Sequence, residues 1–117
     1  MMEWRNVTHT FTEEQRHYKE TYLEICEVYN EEVEVSLFSA SDAPYEIYVS
    51  YGSMYGIVYA DKEEAYTKRE EIKKELEREY QKYKEPTDEF INAFAEKYGL
   101  NLPNDVLFDA DTLFGIF

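Results

Sequence analysis

Tyr45-Glu46-Ile47-Tyr48-Val49-Ser50-Tyr51-Gly52-Ser53-Met54-Tyr55-Gly56-Ile57-Val58-Tyr59-Ala60 decides the fold of this chain. On both sides of Gly52-Ser53, strongly apolar positions alternate with mixed ones, the period-two signature of a strand. A two-residue connection with glycine first suits a type II′ hairpin turn. Such a turn sets the register: Tyr51 opposite Met54, Val49 opposite Gly56, Ile47 opposite Val58. One face then carries Tyr45, Ile47, Val49, Tyr51, Met54, Gly56, Val58 and Ala60, and reads as core. The other carries Glu46, Tyr48, Ser50, Tyr55, Ile57 and Tyr59 and mixes rings with polar groups.

Working outward, Val33, Val35 and Leu37 alternate with Glu34 and Ser36 and predict a further strand, joined through a Ser41-Asp42-Ala43-Pro44 loop. Thr12-Glu13-Glu14-Gln15 has the form of a capping box. Tyr18, Tyr22, Ile25 and Tyr29 follow at steps of four, three and four, so the spacing predicts a helix over 12–29. Downstream, Asp61 caps a long helix over 62–84. Its stripe is Ala65, Ile72, Leu76, Tyr80 and Tyr83, and Arg69 interrupts it. Pro86 ends that helix. Thr87 or Asp88 caps a shorter one with Phe90, Ile91, Phe94 and Tyr98 on its apolar face and Gly99 as the C-terminal stop. Residues 103–117 form an apolar tail, read as a docked or interaction segment.

The expected architecture is one α+β domain over 1–117. It is a three-stranded antiparallel β-meander, open to extension by an N-terminal or C-terminal strand. Three helices pack it, in the order α-β-β-β-α-α. With 44% hydrophobic residues in 117, the chain can bury a core without staples. The single cysteine, Cys26, excludes an internal disulfide and fits a reducing, cytoplasmic setting.

Charge carries the functional reading. The formal net charge is -14, and no base lies between Lys19 and Lys62, whereas that interval holds nine acids. The long helix segment is nearly neutral, so the excess falls on the sheet segment and the C-terminal third. Carboxylates at this density repel phosphate, which argues against direct nucleic-acid binding and against anionic membranes. Nothing in the chain reads as a membrane span.

Tyrosines crowd the same region, and tyrosine supplies contact area with a polar tip at interfaces. The sequence therefore predicts a small acidic, non-catalytic binding module that inhibits or regulates a basic protein partner. A nuclease or another nucleic-acid-binding protein is the natural target, met by imitation of nucleic-acid charge. The predicted contact residues are Glu31, Glu32, Glu34, Asp42, Glu46, Tyr48, Tyr55 and Tyr59. The alternative is an assembly protein that oligomerises through the long helix or the tail, so both monomer and homodimer stay open.

Catalytic motifs are scarce. Cys26 reads as a small buried residue. His9 and His17 are too few and too far apart for a metal site. Asp105, Asp109 and Asp111 lack the glycine and terminal glutamate of a calcium loop. No catalytic residue, metal ligand or cofactor is expected.

Overall fold

A computed structural model describes residues 3–18 and 20–100. Among these residues six antiparallel strands form one sheet: β1 (Trp4–Asn6), β2 (His17–Tyr18), β3 (Thr21–Tyr29), β4 (Val33–Ala40), β5 (Tyr45–Tyr51) and β6 (Met54–Ala60). The helices are α1 (Glu13–Arg16), α2 (Lys62–Lys82) and α3 (Asp88–Tyr98), with a 3-10 turn at Thr8–Thr10. The spatial order is β1-β3-β4-β5-β6, and β2 also pairs with β3. The fold is α+β. The expectations for the apolar tail, for a C-terminal strand and for Asp105, Asp109 and Asp111 lie outside the described residues.

The β5–β6 hairpin has the register that the sequence dictates: Tyr51 faces Met54, Val49 faces Gly56 and Ile47 faces Val58. Gly52 has φ +58, which a type II′ turn requires at its first central position. Glu85 clamps the turn by accepting the Ser53 N–H at 2.7 Å.

The order α-β-β-β-α-α is corrected at its start. Thr12 does cap a helix, with the reciprocal capping box to Gln15, but that helix is only Glu13–Arg16. Residues 21–29 are strand β3, so the meander has four long strands rather than three, and β1 extends it on the N-terminal side. The helix-like spacing has a physical origin. The β3–β4 register slips between Leu23 and Ile25, leaving Glu24 as an extra residue. A bulge of this kind turns a two-residue step into three. Tyr22, Ile25 and Tyr29 therefore share a face at steps of three and four while the backbone remains extended. Thr, Ile, Val and Tyr in the segment favour that outcome.

α2 and α3 cover one face of the sheet. Trp4, Tyr29, Val33, Val35, Leu37, Ile47, Val49, Tyr51, Met54 and Val58 meet Ala65, Ile72, Leu76 and Tyr80 of α2 and Phe94 and Tyr98 of α3 in one buried cluster. Each fully buried aliphatic side chain there stabilises the fold by about 1.5–3 kcal/mol. Tyr83, predicted on the α2 stripe, is exposed instead, because the helix stops at Lys82. Its carbonyl accepts the buried Tyr51 hydroxyl. Thr87 caps α3 by accepting the Phe90 N–H at 3.1 Å. Gly99, at φ +66, ends it, and the Leu100 N–H returns to the Ala95 carbonyl.

Candidate functional site

The helices leave the second face of the sheet to other contacts, and alternation decides what it presents. Cross-strand pairing builds three adjacent rows. Glu34 of β4 lies opposite Ser50, which lies opposite Tyr55. Ser36 lies opposite Tyr48, and Tyr48 opposite Ile57. Phe38 lies opposite Glu46, and Glu46 opposite Tyr59. Strand spacing and rise put Glu34 and Glu46 about 14 Å apart along this face.

Five predicted contact residues therefore share one face: Glu34, Glu46, Tyr48, Tyr55 and Tyr59. Glu34 is exposed, Glu46, Tyr48 and Tyr55 are half-buried, and the Tyr59 ring is 44% exposed. The other three are set apart. Glu31 and Glu32 sit in the β3–β4 turn, and Asp42 sits in the β4–β5 loop at the opposite end of β4. An eight-residue strand separates the two ends by roughly 26 Å. Glu31 is also engaged, holding Arg5 at 2.5 Å.

The second-face carboxylates are hydrogen-bonded but not neutralised. Glu34 accepts the Ser36 hydroxyl at 3.0 Å, and Glu46 accepts the Tyr48 hydroxyl at 3.2 Å. Among the described residues neither forms an ion pair. Phe38 packs against Tyr48 with the rings tilted by 51° and their centroids 4.9 Å apart. Phe38 and Ile57 are functional candidates that the sequence reading left out, although alternation alone places both on this face.

A second charged feature escaped the sequence reading altogether. Glu27 lies on the helix-covered face of β3 and accepts hydrogen bonds from Arg69 and Lys73 of α2, the Lys73 contact at 2.5 Å. Arg69 and Lys73 are only 7% and 6% exposed. Glu70 completes the group at 2.8 Å from Arg69. Lys73 lies 5.1 Å from the Trp4 ring centre, and the Trp4 indole donates to Glu77. Burial pushes the Glu27 carboxyl up, but the Lys73 and Arg69 hydrogen bonds and charges outweigh it and hold the group below its ordinary 4.5. The available signal was Arg69 and Lys73 one turn apart inside an apolar stripe.

Cys26 is buried, and burial pushes its thiol up to about 12. It therefore stays protonated at neutral pH and is a poor nucleophile. Among the described residues no three His, Cys, Asp or Glu side chains converge as metal ligands. A shallow hollow of about 190 Å³ lies at the β6–α2 corner, lined by Pro44, Tyr59, Ala60, Asp61, Glu64 and Lys68. No described helix is long and apolar enough to cross a membrane. No protein-family model, no curated protein and no solved structure matches the chain.

Proposed function

We propose that this protein is a non-catalytic acidic binding module of the cytoplasm. It docks a basic protein partner, such as a nuclease or another nucleic-acid-binding protein, on the second face of its sheet, and so inhibits or regulates it. One observation carries the reading: Glu34 and Glu46 stand among Tyr48, Tyr55 and Tyr59 on a face that α2 and α3 do not cover, and among the described residues neither carboxylate forms an ion pair. Charge left in that state is available to a cationic surface, and tyrosine rings add contact area at small entropic cost. The net charge of -14 steers a cationic partner in and rejects acidic ones. On this reading nucleic acid is not bound directly; its charge is imitated.

The test starts with the full chain immobilised at low salt. The protein recovered from a cytoplasmic extract is then titrated against wild type and against a Glu34→Lys, Glu46→Lys, Tyr59→Ala triple variant. The expected partner is basic, its affinity falls steeply as salt rises, and the variant weakens binding by at least about tenfold. A partner whose affinity responds neither to salt nor to the triple substitution overturns the reading.

A further inference from the structure

Strand β6 passes into α2 without a linker: Ala60 ends the strand, Asp61 is the N-cap and Lys62 opens the helix. An N-cap aspartate ordinarily uses its carboxylate to accept an N–H of the first helical turn. Asp61 does not. Its backbone carbonyl accepts the Glu64 and Ala65 N–H groups at 2.9 Å, but its side chain makes no capping bond. Among the described residues that exposed carboxylate forms no hydrogen bond and no ion pair.

Asp61 borders the hollow at the β6–α2 corner. Pro44 and the half-exposed Tyr59 ring supply its apolar lining, and Glu64 and Lys68, one helical turn apart, supply its α2 side. The Lys68 ammonium lies 3.9 Å from the Glu64 carboxylate, beyond hydrogen-bond distance. The hollow thus gathers an aromatic ring, two carboxylates without a hydrogen-bonded cation, and one loosely held ammonium. Its volume of about 190 Å³ is below the ~300–1,000 Å³ usual for a small-molecule site, and suits the end of a single side chain. Two carboxylates beside a ring favour a cation. Guanidinium fits better than ammonium, because it is planar, stacks on aromatic rings and donates to two carboxylates at once, whereas lysine carries a compact, strongly hydrated point charge.

We propose that this hollow receives an arginine side chain of the basic partner, an inference that rests on the docking role proposed above for the second face. Tyr59 stacks on the guanidinium, and Asp61 and Glu64 accept its N–H groups. Continuity supports the assignment: Tyr59 lies opposite Glu46, so the hollow adjoins the acid-and-tyrosine face. Two groups oppose a cation here. The positive end of α2 amounts to about half an elementary charge, which Asp61, Glu63 and Glu64 outweigh. Lys68 competes for Glu64, but the pair is 28% and 63% exposed and lacks a hydrogen bond, so displacing the ammonium costs little.

The test needs no partner, so failure of the docking reading cannot mask it. The isotope-labelled full chain is titrated with acetyl-arginine amide and, separately, with acetyl-lysine amide, and backbone amide shifts are followed by NMR. Shifts should concentrate at Tyr59, Asp61, Glu64 and Lys68, and arginine should saturate at lower concentration than lysine. Asp61→Asn keeps an equally good N-cap residue and should weaken the arginine response about threefold. Lys68→Gln removes the competitor and should strengthen it. Lys74→Gln removes the same charge from an exposed position elsewhere on α2 and should change it less. Arginine shifts spread over the whole acidic surface, a lysine probe that matches arginine, or a Lys68→Gln chain that binds no tighter than Lys74→Gln would each overturn the proposal. With the recovered partner, affinity lost on Glu34→Lys and Glu46→Lys but unchanged in Asp61→Asn, Glu64→Gln would sink the hollow and leave the docking face standing.

Discussion

The two faces of one sheet treat charge in opposite ways. Under the helices, Glu27 accepts hydrogen bonds from Arg69 and Lys73, cations that are themselves almost fully buried. On the second face, Glu34 and Glu46 accept the Ser36 and Tyr48 hydroxyls and, among the described residues, form no ion pair. The strands are the same, and alternate residues along them supply the two faces. The difference is desolvation: a carboxylate that loses water must gain cations, whereas one that keeps water needs none. Charge on the first face therefore acts on stability, and charge on the second is what the proposed function offers to a partner.

The largest expected effect comes from removing the buried anion. Glu27→Gln leaves Arg69 and Lys73 desolvated with only the half-exposed Glu70 beside them. Loss of one partner from a buried ionic group costs about 3–5 kcal/mol. The urea midpoint of the variant should fall accordingly. A loss below about 1 kcal/mol would mean that Glu27 is solvated like Glu34, and the contrast between the faces would disappear.

Acid sharpens the same contrast. The folded Glu27 carboxyl titrates below its ordinary 4.5, so it contributes stability above that value and loses the contribution as pH falls through the folded value. Urea melts of wild type and Glu27→Gln should therefore differ most near neutral pH and converge below 4.5. A gap that stays constant into acid would show that the cost of the substitution is packing, not charge.

The β3–β4 turn joins the two faces and carries a different kind of cost. Asn30 and Glu31 have φ +50 and +62. Asparagine tolerates this region, but a glutamate there costs about 1–2 kcal/mol. Glycine relieves that strain, offset in part by the greater backbone entropy it gives the unfolded chain and by loss of an exposed Arg5 pair that contributes little. Glu31→Gly should raise stability by about 0.5–1 kcal/mol. It should leave partner binding unchanged, because Glu31 lies at the sheet's end rather than on the Glu34–Glu46 face. A weaker partner complex in this variant would extend the binding surface around the turn.

Sequence made some of this legible and hid the rest for identifiable reasons. Gly52-Ser53 fixed a register, and through it the faces of Tyr48, Tyr55 and Tyr59, because a two-residue turn admits few geometries. The caps at Thr12 and Thr87 and the stop at Gly99 are local chemistry and were readable as such. Strand β3 was not readable, because its bulge at Glu24 gives Tyr22, Ile25 and Tyr29 the spacing of a helix face. The Glu27–Arg69–Lys73 group was hidden by the same misreading. Only a strand sends Glu27 into the core alongside Ile25 and Tyr29. Separation of Glu31, Glu32 and Asp42 from the other acids depends on which end of β4 each loop occupies, and charge counting along the chain cannot see it.

The smallest expected effect is also the most diagnostic for the second face. Glutamine in place of Glu34 and Glu46 keeps a carbonyl oxygen that can accept the Ser36 and Tyr48 hydroxyls. The double Glu34→Gln, Glu46→Gln variant thus removes two charges with little change of shape or hydrogen bonding. Isosteric surface substitutions of this kind stay within about 0.5 kcal/mol, and relief of self-repulsion in a chain of net charge -14 favours a slight gain. Thermal melts at low salt should therefore match wild type or exceed it marginally, while binding to a cationic partner weakens. A stability loss above about 1 kcal/mol would place these carboxylates in a structural role, and the asymmetry between the two faces would then be one of degree rather than of kind.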